Sequence, residues 1–209
     1  FHVQCNPREG FCSNGQRFVP VQLIDVAGLV PGAHEGKGMG NQFLSDLNQA
    51  DALIHVVDMA GATNEKGELV QPGSYDPAKD VQFLEIELDM WYLSILKKGW
   101  EKLSRKVTSG KGNVAIAVAE QMSGLRVTEA MVKDAIKDYP EQMSTWDETL
   151  LVQLARVLRQ KSKPMVVAAN KMDRPRAKEN FEKIKEEFDY PIVPCFSEGE
   201  LALREADKH

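Results

Sequence analysis

Asn170-Lys171-Met172-Asp173 follows directly on the apolar run Pro164-Met165-Val166-Val167-Ala168-Ala169. A carboxylate at Asp173 can accept two parallel hydrogen bonds from adjacent donors, the pattern that guanine presents through N1–H and its exocyclic N2–H₂. Adenine turns an N1 lone pair toward the same carboxylate, and a site left with that mismatch discriminates strongly. Asn170 can bond the imidazole side of the base or tie neighbouring loops together, while the stem of Lys171 can lie across the base plane. The bland alternative is a polar loop after a strand; the four-residue pattern in this position is too specific for that to be the better reading.

A second group stands near the start of the chain. The run Phe18 to Val26 ends in Asp25-Val26-Ala27-Gly28 and passes into a segment with glycines at 32, 36, 38 and 40. An acidic residue at the carboxyl end of a buried strand, followed by flexible glycines, sits where ligands bind in open α/β sheets. Such a carboxylate can hold Mg²⁺ through water, and the glycine lets a backbone N–H approach a phosphate oxygen. An aspartate capping a turn in a glycine loop gives the same lone D-x-x-G, so by itself this motif is weak.

These side chains need strands to present them. Phe18 to Val26, Ala52 to Asp58, Pro164 to Asn170 and Pro191 to Cys195 are short apolar runs rich in branched residues, each followed by turn chemistry. Charged helical stretches at about Arg176 to Phe188 and Glu198 to Ala206 alternate with the later strands, which predicts βαβ units and a mostly parallel sheet covered on both faces. Between the second and third strands lie about a hundred residues of helical character: Asp80 to Lys98, Val114 to Met122, Thr128 to Tyr139 and Trp146 to Gln160. The expected organisation is an α/β domain at 1–74 and 151–209, interrupted by a helical insertion at 75–150.

The composition agrees with this. The chain has 209 residues, 43% hydrophobic and 27% charged, with 26 Lys and Arg against 31 Asp and Glu and a formal charge of −5. That excludes disordered, collagen-like and coiled-coil classes and argues against a surface built wholly for nucleic acid. No apolar run is long enough for a membrane helix, and no signal peptide is expected. Cys5, Cys12 and Cys195 are too few and scattered for a disulfide framework, so a cytoplasmic setting is expected. His2, Cys5 and Cys12 have poor spacing for zinc. His55 lies mid-strand and reads as a packed residue, Cys195 as a small buried one, and Trp91, Trp100 and Trp146 as core anchors of helical faces.

Taken with the wording of Asp25-Val26-Ala27-Gly28-Leu29-Val30-Pro31-Gly32-Ala33, Gly38-Met39-Gly40-Asn41-Gln42-Phe43-Leu44, Asp51 to Asp58 and Glu200 to Ala206, the chain closely resembles the Obg-like GTPases, and within them the archaeal-type members of the YchF-related branch. The resemblance spans essentially the whole chain. It implies a P-loop GTPase-type fold, with Asp25, Ala27 and Gly28 in the third nucleotide motif, Asp25 holding Mg²⁺ through water, and Asn170, Lys171 and Asp173 in the fourth. Phe196 and Ser197 take the place of the fifth motif by position, where backbone N–H groups meet the guanine O6. Elsewhere in the branch the fourth motif drifts and ATP is preferred; here Lys171 and Asp173 favour GTP and GDP. The resemblance also implies slow GTP hydrolysis as a conformational switch and a ribosome or rRNA partner. The runner-up reading is a non-enzymatic interaction module with a vestigial nucleotide site.

Departures from the family pattern bear on catalysis. No G-x-x-x-x-G-K-[S/T] occurs: Gly32 to Gly38 is one residue too short and lacks the hydroxyl, and Gly110-Lys111-Gly112 lacks it as well. The chain opens on Phe1 without an initiator Met, which together with the missing motif suggests a fragment lacking both the phosphate cradle and a C-terminal TGS module. Loss of a backbone N–H nest and its Lys removes the main charge-stabilising contribution, so the 209 residues alone are expected to be inactive. Leu29 stands where many small GTPases carry a water-orienting Gln. His34 is the nearest side chain able to bond water or a phosphate oxygen, and is the candidate catalytic residue against the alternative of a solvated loop histidine.

Overall fold

The computed structural model describes residues 10–26 and 46–207. Phe11–Ser13 (β1) and Gln16–Phe18 (β2) form an antiparallel hairpin turning on Asn14 and Gly15, with Phe11 stacked on Phe18. A second sheet holds Leu53–Asp58 (β3), Met165–Asn170 (β4) and Ile192–Pro194 (β5), all parallel in the order β3-β4-β5. The mixed α/β class with a parallel sheet expected from the sequence is present. In register, Asp58 lies opposite Asn170, so both strands deliver polar side chains at one carboxyl edge.

The strand expected over Phe18 to Val26 does not form. Residues 19–26 carry no regular structure, and Val21 and Leu23 are 79% and 77% exposed. Alternating apolar residues report suitability for a pleated surface, but a strand exists only where a partner accepts its hydrogen bonds, and Pro20 has no N–H to offer. The sheet is also less covered than expected. Val57, Val167 and Ala169 are buried on one face with Ala78, Val81, Ala177 and Ile184, whereas Ile54 and Val56 on the other are 60% and 62% exposed.

The helices between β3 and β4 are Ala78–Lys97 (α1), Trp100–Lys106 (α2), Val114–Gln121 (α3), Glu129–Ala135 (α4) and Glu148–Ser162 (α5). Gly99, at φ 84°, ends α1 and turns the chain into α2. Asn113 caps α3 by accepting the Ala115 and Ile116 N–H groups, Thr128 caps α4 through Met131, and Asp147 caps α5 through Leu150. The last cap places the start of α5 two residues beyond Trp146, whose Nε1 instead donates to the Pro140 carbonyl at 2.8 Å. α1 belongs to two cores. Ala78 and Val81 pack against the sheet, and Leu88, Tyr92 and Leu96 pack with Val118, Met122, Val132, Leu154 and Leu158 in a helical core. Trp91, Trp146 and, partly buried, Trp100 contribute to that second core, with Trp100 stacked on Trp146.

One charged group crosses the helical core. Arg159 is 1% exposed and donates from Nε to Asp89 Oδ1 at 2.7 Å and from Nη1 to the Tyr190 hydroxyl at 3.2 Å. Tyr190 in turn donates to Glu85. α1, α5 and the approach to β5 are thereby held in one orientation. Ala177–Glu187 (α6) follows β4, and Ser197–Ala206 (α7) follows β5.

Candidate functional site

The end of β4 is held from both sides. Lys171, the first residue beyond the strand, adopts the left-handed conformation at φ 62°, which costs a non-glycine residue about 1–2 kcal/mol. Three bonds hold the turn: Lys171 Nζ donates to Asp58 Oδ2 at 2.8 Å, the Met172 N–H donates to the Cys195 carbonyl at 3.2 Å, and the Arg174 N–H donates to the Lys171 carbonyl at 3.0 Å. Asp58 also accepts the Thr63 hydroxyl at 2.8 Å and the Ala60 N–H at 3.0 Å. Burial by itself would raise the Asp58 carboxyl, but the bonds from Lys171, Thr63 and Ala60 outweigh it and hold the group below its ordinary value.

Residues 59–76 fold back over this edge. The Gly73 N–H donates to the Ala60 carbonyl at 2.8 Å and Asn180 Nδ2 donates to the Met59 carbonyl at 2.7 Å. Gly61, at φ 55°, lies against the Tyr75 carbonyl so closely that a Cβ would collide with its oxygen. Between this loop and the end of β4 is a cavity of about 400 Å³, within the usual range for small-molecule sites. Ala60, Ala62 and Pro72 contribute its apolar lining, and Asn170, Lys171, Asp173, Arg174, Pro175, Phe196 and Glu198 complete it.

Five residues expected from the sequence therefore meet. Asn170, Lys171, Asp173 and Phe196 line the cavity, and the Ser197 N–H donates to Asn170 Oδ1 at 3.1 Å. Through that bond the Asn170 side-chain oxygen ties β4 to the start of α7. Asp173 is engaged as well, since Arg174 Nε lies 3.0 Å from its Oδ2 while Arg174 Nη2 reaches Glu198 at 3.3 Å.

Asp25 does not join them. It is exposed on the irregular segment after β2 and does not line the cavity. Among the described residues no group of three His, Cys, Asp or Glu could hold a metal ion. Ala27, Gly28 and His34 lie outside the described residues, as do Cys5, His2 and the glycine segment. Cys195 is half-buried and free, more exposed than expected, just beyond the end of the three-residue edge strand β5. His55 is packed as expected. Its Nδ1 is buried without a partner, and burial lowers its pKa to about 4.

Sequence reasoning missed Asp58, Thr63, Arg174 and the Ala60, Ala62 and Pro72 lining. Asp58 carried a usable signal, an acidic residue closing an apolar strand, the same signal read at Asp25. Also missed was a basic stripe on the helical segment. Residues 97–111 hold six Lys and Arg against one Glu in a chain of net charge −5. Lys102, Arg105 and Lys106 lie exposed on α2 and Lys98 lies exposed just before the Gly99 turn, while Ser104 faces the core.

A parallel three-stranded sheet with flanking helices, its carboxyl edge opening on a cavity lined by Asn170, Lys171 and Asp173, defines a mixed α/β protein. The chain belongs to the Obg/YchF-like family of GTP-binding proteins. A family model described as an Obg-like GTPase YGR210-like, G4 motif-containing domain matches residues 168–209, and one described as a 50S ribosome-binding GTPase matches residues 6–87. An uncharacterized GTP-binding protein of Methanocaldococcus jannaschii is 52% identical over 99% of this chain and 52% of its own length. One from Schizosaccharomyces pombe is 39% identical over 98% of this chain and 50% of its own. The chain thus spans about half the length of these curated relatives. The crystal structure of a GTP-binding protein from Pyrococcus horikoshii OT3 is similar at a TM-score of 0.81, with 35% identity over 98% of this chain and 56% of that one.

Proposed function

We propose that this chain is the base-reading part of a GTP-driven conformational switch that hydrolyses GTP slowly and works on the ribosome. The observation that carries the reading is the placement of Asn170, Lys171 and Asp173 at the end of β4, around one cavity and braced through Asp58. Guanine fits the donor and acceptor set: Asp173 takes N1–H and N2–H₂, the apolar lining takes the base faces, and the Lys171 stem lies along the ring. Asn170, already bonded to the Ser197 N–H, keeps α7 against the base pocket.

The 209 residues contain no P-loop motif, so on this reading they hold the base and leave the phosphates to other groups. Asp25 is assigned on the family pattern to Mg²⁺ through water, and His34, as the nearest side chain able to bond water or a phosphate oxygen, is the candidate for the attacking water in the assembled site. The proposed limits of the helical segment, 75 and 150, fall in the loop before α1 and in the first turn of α5. Its basic stripe supports a ribosomal RNA partner, since exposed Lys and Arg at helical spacing suit a phosphate backbone. The name of the model matched by residues 6–87, a 50S ribosome-binding GTPase, points the same way.

The test is an equilibrium titration of the complete natural protein carrying this chain with fluorescent GDP and ADP, beside the same titration of residues 1–209 alone. The complete protein is expected to prefer GDP and the isolated chain to bind neither at low micromolar concentration. Preference for ADP, or tight binding by the isolated chain, would refute the assignment.

A further inference from the structure

Phe196 precedes α7 as its N-terminal flanking residue, at φ −133° and ψ 75°, and its ring lies over the first helical turn. There it meets Gly199. A methyl group built on Gly199 falls closer than 3.0 Å to Cδ1, Cε1 and Cζ of the Phe196 ring, a separation that real Cβ atoms do not show. Gly199 is not among the residues with positive φ, so the position does not call for glycine on backbone grounds. Glycine is also the poorest helix former after proline. What glycine supplies at this position is room for the ring.

The same ring lines the cavity with Ala60, Ala62 and Pro72. Phe196 is 41% exposed, unusual for an aromatic side chain whose seat is so closely shaped to it. We propose that Phe196 is the stacking wall of the base site and that Gly199 is the positioning residue that seats it. This rests on the guanine-nucleotide reading above and adds a separate element of recognition. Stacking on an aromatic face depends on the presence of a planar base and not on its hydrogen-bonding edge. Phe196 therefore adds affinity that is shared by guanine and hypoxanthine, while Asp173 alone distinguishes the edges.

Gly199→Ala separates this role from a structural one. The obstructing group is the end of a side chain, so the ring swings aside at little cost while the helix gains a better former. Stability is held or raised and the wall is displaced. The experiment is titration calorimetry of GDP and IDP with the complete natural protein as wild type, Phe196→Ala, Phe196→Tyr, Gly199→Ala and the Phe196→Ala/Gly199→Ala double variant, each with its thermal midpoint. Loss of one stacking contact predicts about tenfold weaker binding of both nucleotides by Phe196→Ala. Phe196→Tyr keeps wild-type affinity, Gly199→Ala binds several-fold more weakly with no fall in midpoint, and the double variant matches Phe196→Ala alone. The inference is overturned if Gly199→Ala binds like wild type, if its effect persists in full without the ring, or if Phe196→Ala leaves affinity unchanged. A wild-type protein that binds no GDP removes the underlying reading and this one together; a wild type that binds GDP beside indifferent variants removes this one only.

Discussion

Asp173→Asn tests the base assignment most directly. In the proposed complex the carboxylate accepts two charge-assisted hydrogen bonds, each contributing about 1.5–3 kcal/mol. Two features favour the lower figure. The side chain is 27% exposed, so water competes for it, and wild-type Asp173 must first give up its 3.0 Å contact with Arg174, a cost the neutral amide largely avoids. One charge-assisted bond lost at the lower figure, about 1.5 kcal/mol, plus about as much for the donors left facing each other, gives about 3 kcal/mol, or on the order of 150-fold weaker GDP binding. An Asn oxygen can still accept N1–H, but its NH₂ faces the N2–H₂ of guanine, donor against donor. Xanthine carries a carbonyl at that position, so the Asn NH₂ donates to it and the pairing is restored. The assay is titration calorimetry of the complete natural protein and its Asp173→Asn variant with GDP and XDP. Wild type is expected to prefer GDP and the variant XDP. If guanine preference survives the substitution, Asp173 does not read the base, and the cavity beside it has another occupant.

Two further outcomes follow from groups away from that carboxylate. Burial lowers the His55 pKa from 6.5 to about 4, so the folded state resists a proton that the unfolded chain accepts. Stability should therefore be complete above about pH 6.5 and decline toward pH 4, by up to about 3 kcal/mol. His55→Leu should flatten that slope in urea unfolding across this range, and an unchanged slope would place the pH dependence elsewhere. On the helical segment, replacing Lys98, Lys102 and Lys106 together by Glu should abolish co-sedimentation with large ribosomal subunits at low salt and leave GDP affinity intact. Undiminished co-sedimentation would free the stripe of that role.

The site was legible where chemistry and element boundary coincided in the chain. N-K-x-D closing an apolar run placed Asn170, Lys171 and Asp173 at a strand end, and there they are. The cap at Thr128 and the apolar spacing along α1 made helices readable within a few residues, because both signals act over one or two turns, whereas the caps at Asn113 and Asp147 came only from the structure. Strand formation was read less well. The runs ending at Asp58 and Asn170 found each other, and the equally apolar run to Val26 has no partner strand among the described residues, a distinction that pairing makes and periodicity does not.

The sequence by itself determined which residue types could read a base, the alternation of strand and helix, and the family pattern that joins them. Only the tertiary structure decided which groups those residues meet. It set Lys171 against Asp58, Arg174 against Asp173, the Ser197 N–H against Asn170 and the Phe196 ring against Gly199, and it brought Ala60, Ala62 and Pro72 into one cavity lining. The physical reason is range. Propensity, capping and periodicity are energies of neighbours along the chain, whereas Lys171 and Asp58 are separated by 113 residues and meet only because two parallel strands end in register.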